Sequence, residues 1–413
     1  MKLIAKTAMM TAASAFVIAS ATPALAQSTP SAAEMWRVIQ AQQAKIDALE
    51  SEIAETQVET IEVKKTVESV ADAFEHGTIG ASKTSIGGYG ELHYEGGAKD
   101  QIDFHRFVLF FGHEFTDNIR FFSELEVEHA LSGNGKPGEV ELEQAYLEMD
   151  FSENTRGFAG VHLLPLGLMN ETHEPPTFFG VERNAVEKNI IPVTWWEAGL
   201  GASGSVGETG FSWDVMASSG LYLNTANGYK IRSGRQKVAK AKFKSAAYTG
   251  RVQYTGIPGI ELSSSLFYQP DVTQDARDSI SGEKVSATLW TSHIDAEFNG
   301  FGFRALHANW SLDGQDVDLS GRDKQNGFYL EPSYRLSTPM SLLEDAEIGV
   351  FYRYAEWDNN AGSSSLSSVK RSVFGANFWP IHNVVFKADY IIEDKASAAD
   401  STKSFNLGIG YEF

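Results

Sequence analysis

From Thr84 to Phe413 apolar residues recur at every second position, and after Ala26 no stretch of 18 apolar residues occurs. A period of two is the period of the two faces of a β-strand, and it rules out membrane-spanning helices. The pattern divides into sixteen segments: 84–95, 101–115, 118–130, 140–151, 156–164, 196–206, 210–219, 242–255, then 260–269, 286–298, 301–311, 325–336, 345–357, 370–380, 383–393 and 403–413. Each is about as long as a tilted strand needs to cross a bilayer, and the number is even.

The faces are chemically distinct. Ile119, Phe121, Leu125 and Val127 share one side of their segment, against Arg120, Glu124, Glu126 and Glu128. Phe107, Leu109, Phe111 and Phe115 stand opposite Arg106 and Glu114. In the last segment Phe405, Leu407, Ile409, Tyr411 and Phe413 alternate with Asn406, Gly408, Gly410 and Glu412. A soluble sandwich would turn the apolar set into a core; a membrane barrel turns it to lipid and the polar set to a wet lumen. Connections alternate between tight ones, such as Thr116-Asp117-Asn118 and Asn299-Gly300, and long polar ones, such as 220–241 and 358–369. That alternation, with an aromatic Phe413 in a period-two segment, predicts an all-β transmembrane antiparallel barrel over 84–413.

The preceding residues follow other rules. Lys2 and Lys6, the apolar run Ala8 to Ser20 and Ala24-Leu25-Ala26 predict a signal peptide over 1–26, cut before Gln27. Export and a barrel together predict the bacterial outer membrane. Within 27–75 two seams alternate at three and four residues: Ala32, Ile39, Ile46, Ile53, Thr60, Val67, Phe74, and Met35, Gln42, Leu49, Thr56, Val63, Val70. The period of seven and the narrow stripe predict a periplasmic coiled coil rather than one amphipathic helix on the barrel. β-Branched residues at both seam positions favour more than two strands, hence a homotrimer. Residues 76–83 read as a linker.

Composition narrows the chemistry. With no cysteine, neither disulfides nor thiolate metal sites are available. The formal charge of −20 becomes −22 once Lys2 and Lys6 are removed, leaving 32 bases against 54 acids. Nucleic-acid partners are therefore not expected.

The stretch Gly160 to Glu197, GVHLLPLGLMNETHEPPTFFGVERNAVEKNIIPVTWWE, resembles a loop of the trimeric sixteen-stranded porins of the phosphate-selective O/P family. The resemblance rests on Pro165 and Gly167, then Thr177, Phe178, Val181, Glu182 and Arg183. It implies a loop folded into the lumen that narrows a channel. The residues agree: a connection of about 30 residues that is rich in Pro, aromatics and paired charges is a folded functional loop rather than a disordered one. It offers Glu171, His173, Glu174, Glu182, Arg183, Glu187 and Lys188 to a constriction. Arg106, Arg120, Glu124, Glu126 and Glu148 are expected in the lumen, with Arg106 and Arg120 as positive partners of the loop's acids. His173 is a candidate for titration near neutral pH. The arginine and lysine ladders that the resemblance implies for anion selectivity are here interrupted by Glu124, Glu126 and Glu148, which favours a general or mildly cation-preferring pore.

Two other motifs dissolve on inspection. Gly199-Leu-Gly201-Ala-Ser-Gly204 has the letters of a dinucleotide fingerprint, but it lies in a strand with no helix after it. His173-Glu174 begins like a zinc-protease helix, but Pro175 and Pro176 follow. No catalytic residue, metal ligand or cofactor is assigned from the sequence. The expected function is passive diffusion of small hydrophilic solutes or ions through a lipid-embedded barrel. An envelope tether working through the coiled coil, or a barrel hydrolase with a Ser-His-acid group at its rim, are the alternatives.

Overall fold

The computed structural model describes Trp36, Gln40, Gln42, Gln43 and residues 83–97, 99–275, 279–339 and 343–413. The signal peptide and nearly all of the heptad stretch lie outside the described residues; Trp36, Gln40, Gln42 and Gln43 are helical and exposed. The chain divides after Ala81, and the second unit, Ser82–Phe413, is a closed antiparallel barrel of sixteen strands.

Its first half runs β1 Thr84–Glu95, β2 Gln101–Thr116, β3 Ile119–Glu128, β4 Val140–Ser152, β5 Thr155–Leu163, β6 Trp196–Ser205, β7 Phe211–Ser218 and β8 Ala247–Ile257. The second half runs β9 Ile260–Gln269, β10 Ser286–Phe298, β11 Phe301–Asp313, β12 Lys324–Ser337, β13 Glu347–Asp358, β14 Val369–Ile381, β15 Val384–Lys395 and β16 Thr402–Glu412. Every expected strand forms, and all boundaries but one lie within two residues of expectation. The exception is β8, which starts five residues after Lys242. There the backbone N–H groups of Lys242, Lys244 and Ser245 donate to the side-chain oxygens of Gln236 and Gln274 instead of to a neighbouring strand.

β1 pairs with β16 in the register Tyr89↔Glu412 to Glu95↔Asn406, so the barrel closes and leaves no strand edge open among the described residues. Gly88 and Phe413 exchange two backbone hydrogen bonds of 2.9 Å at this seam. On β16, Phe405, Leu407 and Ile409 are 40–47% exposed to the outside, while Asn406, Gly408 and Gly410 are buried inside. The period-two pattern is thus read out as lipid face and lumen face.

The lumen is not polar throughout. On β9 to β13 the inward positions hold Phe267, Leu289, Leu306, Trp310, Leu312, Tyr329 and Trp357, all buried. They pack against residues of the β5–β6 connection, with the Trp195 ring 4.9 Å from Phe267 and 6.1 Å from Trp310. The wet interior expected from the polar faces of many strands therefore does not extend to this half of the barrel. Long loops fold back into the barrel, and an apolar core, at about 1.5–3 kcal/mol per large buried side chain, fills that half.

Candidate functional site

The loop between β5 and β6 builds the site from its neck upward. The Asn170 side chain closes the neck: its Nδ2 donates to the carbonyls of Leu164 (2.7 Å) and Trp195 (2.9 Å), and its Oδ1 accepts from the Trp195 N–H (2.7 Å). Glu187 lies in the one-turn helix Ala185–Asn189 and is fully buried. Its Oε2 accepts from the N–H groups of Leu168 (2.9 Å) and Met169 (2.7 Å), and its Oε1 from the Tyr329 hydroxyl (2.9 Å). Gly167 has φ +73°, and a Cβ there would stand 2.7 Å from Glu187 Oε2, so both the turn and the latch require glycine.

From the neck the loop crosses the lumen and is pinned to β13–β15. Trp379 Nε1 donates to the Pro176 carbonyl (3.0 Å), Asn377 Nδ2 to Phe178 (3.0 Å) and Arg353 Nη2 to Phe179 (2.7 Å). In return the Val181 N–H donates to Asp389 Oδ2 at 2.7 Å. At Gly410 of β16 a side chain would meet the Pro175 ring at 2.3 Å, so the absence of a Cβ lets the loop lie flat on the wall. These contacts satisfy buried backbone groups that strand pairing cannot reach.

Between this loop and the wall of β2–β4 lies a cavity of about 300 Å³. On the wall side it is lined by Glu126, Glu128, Glu139, Glu141 and Glu143, to which the loop adds Glu182. The inward loop also contributes Arg183 and Lys188, and the β7–β8 loop contributes Arg232, Arg235 and Lys237, the last bonded to Glu139 and Glu141; Arg106 stands among the acids. Acids therefore sit on the wall and most bases on the loops. The expected polarity, loop acids facing wall bases, is reversed.

The individual residues explain the reversal. Glu187 is spent on the latch and Glu171 on an ion pair with Arg251 of β8. Glu174 is half-buried on the loop, its carbonyl accepting from the Thr177 N–H at 3.0 Å. Glu182 lies 3.2 Å from His93 Nδ1 and 3.4 Å from Lys188 Nζ. Although burial opposes its charge, Lys188 and His93 hold its carboxyl well below the usual carboxylate range. Arg106 is pinned to Glu91 (2.7 Å) and Glu126 (3.1 Å). Arg120 pairs with Glu148 (2.7 Å) and Asp150 (2.6 Å) beside the tight Asp117-Asn118 turn, away from this cavity. Arg183 donates to the Thr194 hydroxyl.

His173 is buried with Glu124 and Glu143, its Nε2 lying 3.5 Å and 3.6 Å from their oxygens. Burial and the Arg183 charge favour its neutral ring, but the two carboxylates outweigh them and push it up to about 9. The neutral-pH titration expected from the sequence is displaced accordingly.

The sequence reading missed Arg232, Arg235 and Lys237. Arg232 Nη1 donates to the carbonyls of Lys188 (3.0 Å) and Val193 (2.8 Å), which ties the β7–β8 loop onto the inward loop. Burial and the neighbouring Arg235 push Arg232 down to about 10, which leaves it charged at neutral pH. The signal was present: seven bases between Lys230 and Lys244, with no acid from Val215 to Ile260.

No protein-family model matches the chain. An uncharacterized protein of Aquifex aeolicus (strain VF5) is 31% identical to it over 341 residues, 77% of each chain. The chain belongs to that protein's family. Solved structures relate this family member to a known architecture. The anion-selective porin from Comamonas acidovorans matches with a TM-score of 0.54 at 13% identity, over 80% of this chain and 99% of that one. In-vitro folded OmpT in its trimer form, an outer membrane protein of Vibrio cholerae, matches with a TM-score of 0.51 at 10% identity, over 80% and 99%. At such identities the likeness is one of fold: the closed sixteen-stranded barrel of outer-membrane porins.

Proposed function

We propose that the protein is an outer-membrane porin for passive diffusion of small hydrophilic solutes or ions. The observation that carries the reading is the cavity, lined by acids of the wall and bases of the loops, left between the inward loop and the β2–β4 wall of a closed barrel. Narrow zones set permeation through their radius and the charges that line them, because low-dielectric walls focus the field. Six carboxylates and six bases line this one, so the pore should discriminate weakly between potassium and chloride and favour dipolar solutes that align across it. That balance supports the general reading above the phosphate-selective one that the loop sequence resembles, and it reduces the expected cation preference.

In a planar bilayer with a potassium chloride gradient, the protein should open in discrete steps with a reversal potential near zero. A strongly anionic reversal potential would return the phosphate-type reading. Silence would move the function to the envelope tether or the hydrolase.

The heptads, and a trimeric form among proteins of the same fold, support a homotrimer. Deleting residues 32–74 should shift detergent-solubilised protein from trimers toward monomers on unheated gels. Trimers of full strength after the deletion would assign assembly to the barrel wall alone.

A further inference from the structure

We propose that His173, Glu124 and Glu143 form a binding site for a divalent cation of the zinc class, which clamps the inward loop to the barrel wall. This inference does not depend on the solute the pore carries.

The three groups converge from separate elements. His173 comes from the loop, Glu124 from β3 and Glu143 from β4. Between β3 and β4 the register slips where Glu124 pairs with Gln144 but Leu125 pairs with Leu142, so Glu143 is the extra residue of a bulge. A bulge re-aims a side chain that regular pairing would send to the other face. Here it brings Glu143 in beside Glu124.

The facing atoms are the ones a cation would use. Glu124 Oε1, Glu143 Oε2 and His173 Nε2 lie within 4.8 Å of one another. All three are buried without a hydrogen-bond partner among the described residues, on side chains 1–2% exposed. Their separations from Nε2, 3.5 Å and 3.6 Å, are close to the about 3.4 Å between ligands of a tetrahedral zinc ion with bonds near 2.1 Å. The imidazole is at ion-pair distance from both carboxylates, but buried polar atoms without hydrogen bonds are costly, and three aimed at one point are explained by a group that belongs between them.

The outer contacts also fit. His173 Nδ1 lies 3.3 Å from the Asn170 carbonyl, which keeps a proton on Nδ1, so that a metal entering between the carboxylates displaces the Nε2 proton and takes that lone pair. Gln144 Nε2 donates to the second oxygen of Glu124 at 2.8 Å. Charge balances: two carboxylates, a neutral imidazole and a divalent ion sum to zero, and nearby Arg106 and Arg183 are offset by Glu91 and Glu126. Glu143 lines the 300 Å³ cavity, which supplies an entry path. One imidazole and two carboxylates, with no sulfur, suit zinc and leave a fourth position for water.

The test uses tag-free, full-length protein in detergent, stripped with a chelator and re-equilibrated with zinc chloride. Zinc counted by mass spectrometry should be one per barrel, and cobalt(II) substitution should give the visible spectrum of a tetrahedral site. Glu143→Gln and His173→Gln should each weaken zinc binding at least about tenfold, since even outer-contact losses cost that much. Glu124→Gln is the third variant, and unheated gel mobility checks that each barrel is folded. His129→Gln, in the separate Asp103–His105–His129 group, should leave the count unchanged. Wild-type protein that holds no zinc overturns the proposal. So does zinc retained in the folded Glu143→Gln and His173→Gln variants, or lost in His129→Gln, with the imidazolium–carboxylate cluster then holding the loop without a metal.

Discussion

Replacing Arg232, Arg235 and Lys237 together by Gln should raise the potassium-to-chloride permeability ratio about twentyfold. A unit charge about 7 Å from a permeating ion contributes roughly 0.6 kcal/mol at the dielectric of water, and physiological salt roughly halves it. Removing three such positive charges stabilises the cation and destabilises the anion by about 0.9 kcal/mol each, which multiplies the ratio roughly twentyfold. Lys237 adds to the effect, because it bonds Glu139 (2.8 Å) and Glu141, and its loss returns two carboxylates to the lumen. Reversal potentials in a potassium chloride gradient measure the shift directly. An unchanged ratio would mean that ions bypass this cavity, and the site would have to be sought elsewhere in the lumen.

That triad was the largest omission of the sequence reading, and the reason is physical. Strand faces are legible because alternation is local: Arg120 and Glu124 must point the same way from one strand, as Phe405 and Leu407 must. The inward loop was legible because Trp195, Trp196, Ile190 and Ile191 have no place in a solvated connection. The basic run from Lys230 to Lys244 has the composition of an ordinary solvated loop, and only its packing on Lys188 and Val193 turns Arg232 inward. The apolar half of the lumen was hidden for a related reason. On β11, Phe301 and Phe303 face outward while Leu306 and Trp310 face inward, so a period of two cannot say which apolar face meets lipid. Glu143 was beyond the pattern altogether, because the bulge that aims it breaks the alternation at that residue.

Glu187→Ala should release the inward loop while leaving the barrel intact. The carboxylate accepts from two backbone N–H groups and one hydroxyl in a fully buried position, and alanine accepts from none of them. Each orphaned buried donor costs about 1–3 kcal/mol, so the closed loop loses roughly 3–6 kcal/mol even where water enters to recover part of it. That raises the open population by roughly two to four powers of ten. Trypsin should then cut folded protein after Arg183 or Lys188, which the wild-type loop protects, and single channels should become larger and noisier. Glu187→Gln keeps one acceptor oxygen and should fall between the two. The loop has two sets of fastenings: Asn170 and Glu187 at the neck, and Arg353, Asn377 and Asp389 at the tip. Wild-type protection in Glu187→Ala would show that the tip contacts hold it unaided. Cleavage with an unchanged gel shift of the barrel would show that the neck latch sets the loop's position, because tip hydrogen bonds are made by a segment whose entry angle the latch has already chosen.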